Sequence, residues 1–181
     1  MNLALVHETL AEPGGAEQVL AELRLVFPTA PVFVLEDAGE PRRDRIDVRS
    51  SFLQRVPHWI RRRRWHLPLL PIAAETLDLS AYDVVVSTSS SFAKGIVTRR
   101  GTLHICYCHT PTRFLWDAYA SARRSFAPGD VRRLLFPPLA HALRLWDRVA
   151  AQRVDVFIAN SETTRARIEK YYRRSAVVLR R

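Results

Sequence analysis

Four short polar clusters carry the chemistry that this sequence of 181 residues can offer: His7 with Gly14-Gly15, the run Ser87–Ser91, His109-Thr110, and Asn160-Ser161. His109 closes an apolar run, and a histidine at the end of a strand can hydrogen-bond a substrate hydroxyl or act as a general base. A lone histidine is more often a satisfied structural residue; the position beside a crevice favours function here. Gly14-Gly15 opens a helical stretch. Glycine lets backbone approach a ligand, and a helix N-terminus presents N–H groups and partial positive charge to phosphate. The competing reading is a turn that needs positive φ. Since G-x-G-x-x-G is absent, no dinucleotide fingerprint supports the first reading. Beyond His109, Arg113, Trp116 and Asp117 suit either the wall of a pocket, where Arg clamps phosphate and an aromatic face stacks on a sugar ring, or the start of a packed helix.

Other combinations are weaker. His104, Cys106 and Cys108 alternate along one strand face, but no second ligand pair follows, so buried thiols are the simpler account than a metal site. Arg61, Arg62, Arg63 and Arg64 lie between Trp59 and Trp65. That run suits an anionic membrane surface or a nucleic acid, with a solvated segment as the default.

The elements that must position these residues alternate between strand and helix. Apolar runs at 2–6, 31–36, 83–87, 103–108, 155–159 and 176–179 predict strands, with a weaker one near 46–49. Helical spacing at 15–27, with Ala16, Val19, Leu20, Leu23, Val26 and Phe27, predicts the first crossover. Further helices are expected at 70–77, at 131–153 with Leu139, Leu143, Trp146 and Val149 or Ala150 inward, and at 161–172 capped by Ser161. This order indicates an α/β fold: a Rossmann-like doubly wound, mostly parallel sheet whose ligands sit at the carboxyl ends of the strands. All four polar clusters fall there.

Composition narrows the class. Lys and Arg total 28 against 18 Asp and Glu, a net charge of +10, and 26 of the 28 are Arg. Codon bias can account for part of that skew. The charge attracts polyanions, whether nucleic acid, an anionic membrane face or a phosphorylated substrate. An apolar fraction of 48% excludes a disordered tail, and two Cys exclude a disulfide framework. The opening residues lack a basic n-region, and no apolar run reaches the ~20 residues that span a bilayer.

Several motifs occur in an order that resembles the family 4 glycosyltransferases of the GT-B fold: Leu5-Val6-His7-Glu8, Gly14-Gly15-Ala16-Glu17, Ser51-Phe52-Leu53-Gln54-Arg55, Phe92-Ala93-Lys94-Gly95, residues 103–111, Leu145-Trp146-Asp147-Arg148 and Phe157-Ile158-Ala159-Asn160-Ser161. The nearest subgroup is the bacterial mannosyltransferase-like enzymes of polysaccharide assembly. The resemblance implies that residues 1–181 form a single N-terminal, acceptor-side domain. A separate donor-binding half with a Glu-x₇-Glu pattern does not follow within them, so the chain alone is expected to transfer sugar negligibly. It implies a usually retaining, metal-free transfer of a hexose from a nucleotide-sugar, GDP-mannose being one candidate, to a lipid-linked glycan. On it, His109 is the catalytic position and Gly14 and Gly15 approach the donor diphosphate. His7, Lys94, Thr110, Arg113 and Trp116 are acceptor-side, and Trp59, Arg61–Arg64 and Trp65 touch the inner face of the cell membrane from the cytoplasm. Asn160-Ser161 is expected to be structural. The rival reading is a non-catalytic membrane-docking module that pairs with a separate donor-binding chain.

Overall fold

The computed structural model describes residues 1–10, 14–37, 47–57, 60 and 66–179. Seven strands form one sheet: β1 (Leu3–Leu10), β2 (Val32–Asp37), β3 (Val48–Ser50), β4 (Val84–Ser89), β5 (Leu103–Cys108), β6 (Val156–Ala159) and β7 (Val177–Val178). All six pairings are parallel, in the order β3-β2-β1-β4-β5-β6-β7. The order reverses between β1 and β4, and the crevice at such a reversal is where ligands of doubly wound sheets bind.

The helices are α1 (Gly15–Val26), α2 (Leu70–Glu75), α3 (Tyr119–Arg124), α4 (Val131–Ala151) and α5 (Glu162–Tyr172). Parallel strands buried on both faces read as continuous apolar runs, which is why β2, β4 and β5 stand out in the sequence. Alternate residues divide between the layers. Ala4, Val6, Phe33, Leu35 and Val85 pack with Phe136, Ala140 and Leu143 of α4. Leu5, Val32, Val34 and Val86 pack with Leu20 of α1. Cys106 and Cys108, both free thiols, join Phe157, Ile168 and Tyr172 in a third cluster, and burial pushes Cys106 up to about 12.

Helix α4 buries Phe136, Ala140, Leu143, Asp147 and Ala150. Ala150 rather than Val149 is the inward residue, and Val149 is exposed. The helix continues past Pro137 and Pro138, where two N–H donors are missing. Phe136 and Ala140, on either side, hold that stretch against the sheet. Asp130 caps α4 by accepting from the Arg132 N–H at 2.8 Å, and Ser161 caps α5 by accepting from the Thr164 N–H at 3.2 Å. Among the described residues no helix is long and apolar enough to cross a membrane.

Two stability predictions arise from this packing. A Cβ built on Gly95 would lie 2.4 Å from the Trp146 ring. Trp146 cannot swing aside freely, because its Nε1 donates to Glu75 Oε1 at 2.7 Å and its ring packs on Phe92 at 5.6 Å between centroids. Gly95→Ala is therefore expected to lower stability by about 2 kcal/mol, read as a reduced urea midpoint.

His104 is fully buried, with Nε2 2.8 Å from Ser87 Oγ. Desolvation by burial lowers its pKa from 6.5 to about 4, against a smaller opposing pull from Asp155. The native state thus leaves His104 neutral while the unfolded chain takes up a proton between those two values. Stability is full above pH 6.5 and is lost as pH falls towards 4, by about 3 kcal/mol from this residue. Urea titrations at several pH values should show that loss, and His104→Leu should reduce it.

Candidate functional site

Strand β1 passes through the reversal point and delivers consecutive residues to opposite faces. His7 faces the α1 side and Glu8 the α4 side. His7 is buried; its Nδ1 makes a short hydrogen bond with Thr88 Oγ1, and its Nε2 lies 3.9 Å from Glu17 Oε1. Burial lowers its pKa despite the charges of Glu8 and Glu17.

Glu8 explains the Ser/Thr run after β4. Its Oε1 accepts from the N–H of Ser90 at 2.9 Å, from the N–H of Ser91, from Ser89 Oγ at 3.0 Å and from the N–H of Ala93 at 3.4 Å. Such a ring of backbone donors is an anion site. Here the chain fills it with its own carboxylate, so the loop is pinned to β1.

On the α1 face a cleft of about 600 Å³ is lined by Gly15, Ala16, Val19, Ser90, Tyr107, His109, Asn160 and Ser161. It collects the ends of β4, β5 and β6 and the start of α1. Gly14 is the N-cap of α1, with φ −130° and no side chain to cap the first-turn N–H groups. That φ is ordinary extended backbone, and a turn needing positive φ is not the reason for the glycine. A Cβ on Gly15 would meet nothing within 4 Å, so protein packing does not demand glycine there either. Gly15 lines the cleft at the helix end, and helix N-termini bind anions. Glu17 contributes a carboxylate to the same turn, beside His7.

His109 is half-buried at the cleft wall. Its N–H donates to the Ser89 carbonyl at 2.9 Å, and its carbonyl lies 3.1 Å from Thr164 Oγ1, so the backbone is fixed on both sides. The ring packs edge-on against Tyr107, 5.1 Å between centroids. Its Nε2 is buried and has no hydrogen-bond partner among the described residues. Desolvation lowers its pKa, with the nearby His7 adding to the shift and Glu8 and Glu17 opposing it. A neutral imidazole in the same cleft as a helix N-terminus can hydrogen-bond a hydroxyl without adding charge.

The other acceptor-side expectations separate. Thr110 is half-buried beside His109 and donates to the Pro111 carbonyl at 3.1 Å. Arg113 is exposed. Lys94 lies in the interior, 1% exposed, with Nζ 2.6 Å from Asp147 Oδ1, 3.3 Å from Thr112 Oγ1 and bonded to the Ser91 carbonyl. It is not on a ligand wall. Trp116 is likewise tied down, its Nε1 donating to Asp147 Oδ2 at 2.8 Å and its ring stacked on Tyr171 at 4.8 Å. Asp117 pairs with Arg167 at 2.6 Å. Thr164 Oγ1 lies 2.7 Å from Asn160 Oδ1, so Asn160 and Ser161 both brace the start of α5 while lining the cleft. Trp59, Arg61, Arg62, Arg63, Arg64 and Trp65 lie outside the described residues.

Sequence reasoning missed the structural centre of this network, Asp147, whose four donors come from Lys94, Thr112, Trp116 and Tyr172. An aspartate on the inward stripe of an amphipathic helix was the available signal. It also missed Glu8 as the loop clamp.

Residues 13–179 match the family model described as Glycosyltransferase Family 4. No curated protein matches the chain.

Proposed function

We infer the function from the premise that the chain belongs to glycosyltransferase family 4, across nearly its whole length. It is a domain of a sugar-transferring enzyme with a Rossmann-like all-parallel sheet. The finer reading is that it forms the acceptor-side half of a GT-B hexosyltransferase of the mannosyltransferase-like kind. The donor is a nucleotide-sugar, and the acceptor is a lipid-linked glycan of cell-surface polysaccharide assembly, met at the inner membrane face. One observation carries this reading: the N-terminus of α1 and His109, whose Nε2 has no hydrogen-bond partner among the described residues, line one cleft at the carboxyl end of the sheet.

In the transfer, the bond from the sugar's anomeric carbon to the diphosphate breaks and a bond to the acceptor oxygen forms. The acceptor proton leaves with the diphosphate. Negative charge grows on the departing diphosphate, and the first turn of α1 is placed to stabilise it. His109 orients a hydroxyl of the transferred sugar, and its low pKa keeps it neutral at pH 7. A donor-binding half, in the same chain or a separate one, supplies the nucleotide site.

The test is a transfer assay with that half present, using GDP-mannose and UDP-glucose as competing donors and a polyprenyl-diphosphate-linked glycan as acceptor. Transfer of mannose to the lipid-linked product supports the reading. Transfer only to water-soluble acceptors, or from neither donor, overturns it. Liposome flotation of the same protein checks the membrane part.

A further inference from the structure

A second cavity lies on the opposite face of the sheet, which the proposed transfer chemistry leaves unused. It measures about 800 Å³ and opens between the ends of β1 and β2 and helices α3 and α4. Its walls are mainly apolar, including Leu35, Leu70, Phe92, Phe126, Phe136 and Leu139. A volume of that order suits a small organic ligand, and walls of that kind suit hydrocarbon.

Several polar residues interrupt this lining, Glu8, Thr9, Ser91, Ser125 and Arg132 among them, and one pair stands out. His66 and Glu36 both line the cavity, with His66 Nε2 3.1 Å from Glu36 Oε1. His66 is only 6% exposed, and its Nδ1 is buried without a hydrogen-bond partner among the described residues. Glu36 Oε1 is likewise buried and short of a well-directed hydrogen bond. Buried polar atoms in folded proteins are nearly always paired, so each exception calls for a cause. A carboxylate beside Nε2 favours the tautomer with hydrogen on that nitrogen. Nδ1 then carries a lone pair, and a lone pair asks for a donor. The arrangement is a mainly apolar slot with an unsatisfied acceptor in its wall.

We propose that this cavity binds the apolar part of a hydroxyl-bearing amphiphile, with His66 Nδ1, positioned by Glu36, accepting a hydrogen bond from its hydroxyl. The ligand is an alcohol on a hydrocarbon chain, not an anion, since the lining carries the carboxylates of Glu36 and Glu8 and its one arginine, Arg132, is already paired with Asp130. Its role as part of the sugar acceptor rests on the acceptor-side reading above; the binding itself does not.

Decanol and decyl methyl ether, titrated into the protein by calorimetry, separate these points, because the ether keeps the chain and lacks the hydroxyl hydrogen. The alcohol is expected to bind about tenfold more tightly than the ether. His66→Phe keeps a ring of similar shape and should bind both alike. Glu36→Gln should narrow the preference while leaving ether binding unchanged. Leu139→Trp, which fills the cavity away from the pair, should weaken both about tenfold or more. Should His66→Phe fail to fold, as read from its thermal melt, Glu36→Gln and Leu139→Trp decide. Failure of wild-type protein to bind either compound overturns the proposal, as does an alcohol preference that survives both His66→Phe and Glu36→Gln. Loss of sugar transfer with decanol binding intact would instead count against the acceptor-side reading alone.

Discussion

Asp147→Ala is expected to cost about 4 kcal/mol, a large share of the 5–15 kcal/mol that holds a domain together. Asp147 is fully buried and accepts four hydrogen bonds. Lys94 Nζ at 2.6 Å and Thr112 Oγ1 at 2.8 Å reach Oδ1, and Trp116 Nε1 at 2.8 Å and Tyr172 OH at 2.9 Å reach Oδ2. These donors arrive from the turn after β4, the loop after β5 and the end of α5. Removing the carboxylate leaves the Lys94 ammonium buried and uncompensated, which costs far more than a lost surface pair. The urea midpoint should fall by about 1–2 M, with the slope unchanged. Asp147→Asn should be nearly as damaging, because it keeps the shape and loses the charge. Lys94→Met combined with Asp147→Leu should recover part of the loss, since neither charge is then stranded. A double variant that merely adds the two single losses would contradict a coupled ion pair.

His109→Ala should separate activity from stability in the opposite sense. The His109 ring makes no hydrogen bond among the described residues, so thermal stability is expected to stay within about 1 kcal/mol of the parent. Turnover in the complete enzyme should fall about 100-fold, carried by kcat, with donor KM changing much less. His109→Gln, which keeps a hydrogen-bonding side chain, should regain part of the rate. The pH profile gives an independent reading. Because burial lowers the His109 pKa, the neutral ring survives below the ordinary histidine range. Turnover limited by His109 should therefore fall at a lower pH than an ordinary histidine would give. A fall in turnover matched by an equal fall in stability would show that His109 is structural.

Most of the fold was legible in the sequence because its strands are buried on both faces. The apolar run at 103–108 coincides with β5, and the Ser161 cap fixes the start of α5. Boundaries slipped where polar residues continue a strand. β1 runs on through His7 and Glu8 to Leu10, and β4 through Ser87, Thr88 and Ser89. Those side chains are tolerated because each finds a partner in the tertiary fold: Glu8 the loop amides, Thr88 His7, and Ser87 His104. Local sequence cannot display such partners. Lys94 shows the same limit. A lysine just past a strand suggests a ligand contact, and its partner Asp147 lies 53 residues away on another element. His66 and Glu36, too, gain meaning only when the chain brings them together. Residues whose placement follows from one segment's pattern were readable, and residues defined by a distant neighbour were not.

The strand order also bears on how the molecule comes into being. β1 is made first, yet it lies in the middle of the sheet, and its pairing with β4 joins residues 81 positions apart, as in the contact of His7 with Thr88. Closing so long a loop is slow compared with local helix formation. On a ribosome, β1 can pair with β2 at once but must wait for β4 to emerge. The clamp from Glu8 to the β4 loop spans the same interval. Both faces of the crevice thus take shape in one late, cooperative event, and a nascent chain has helices and an incomplete sheet well before it has a binding site.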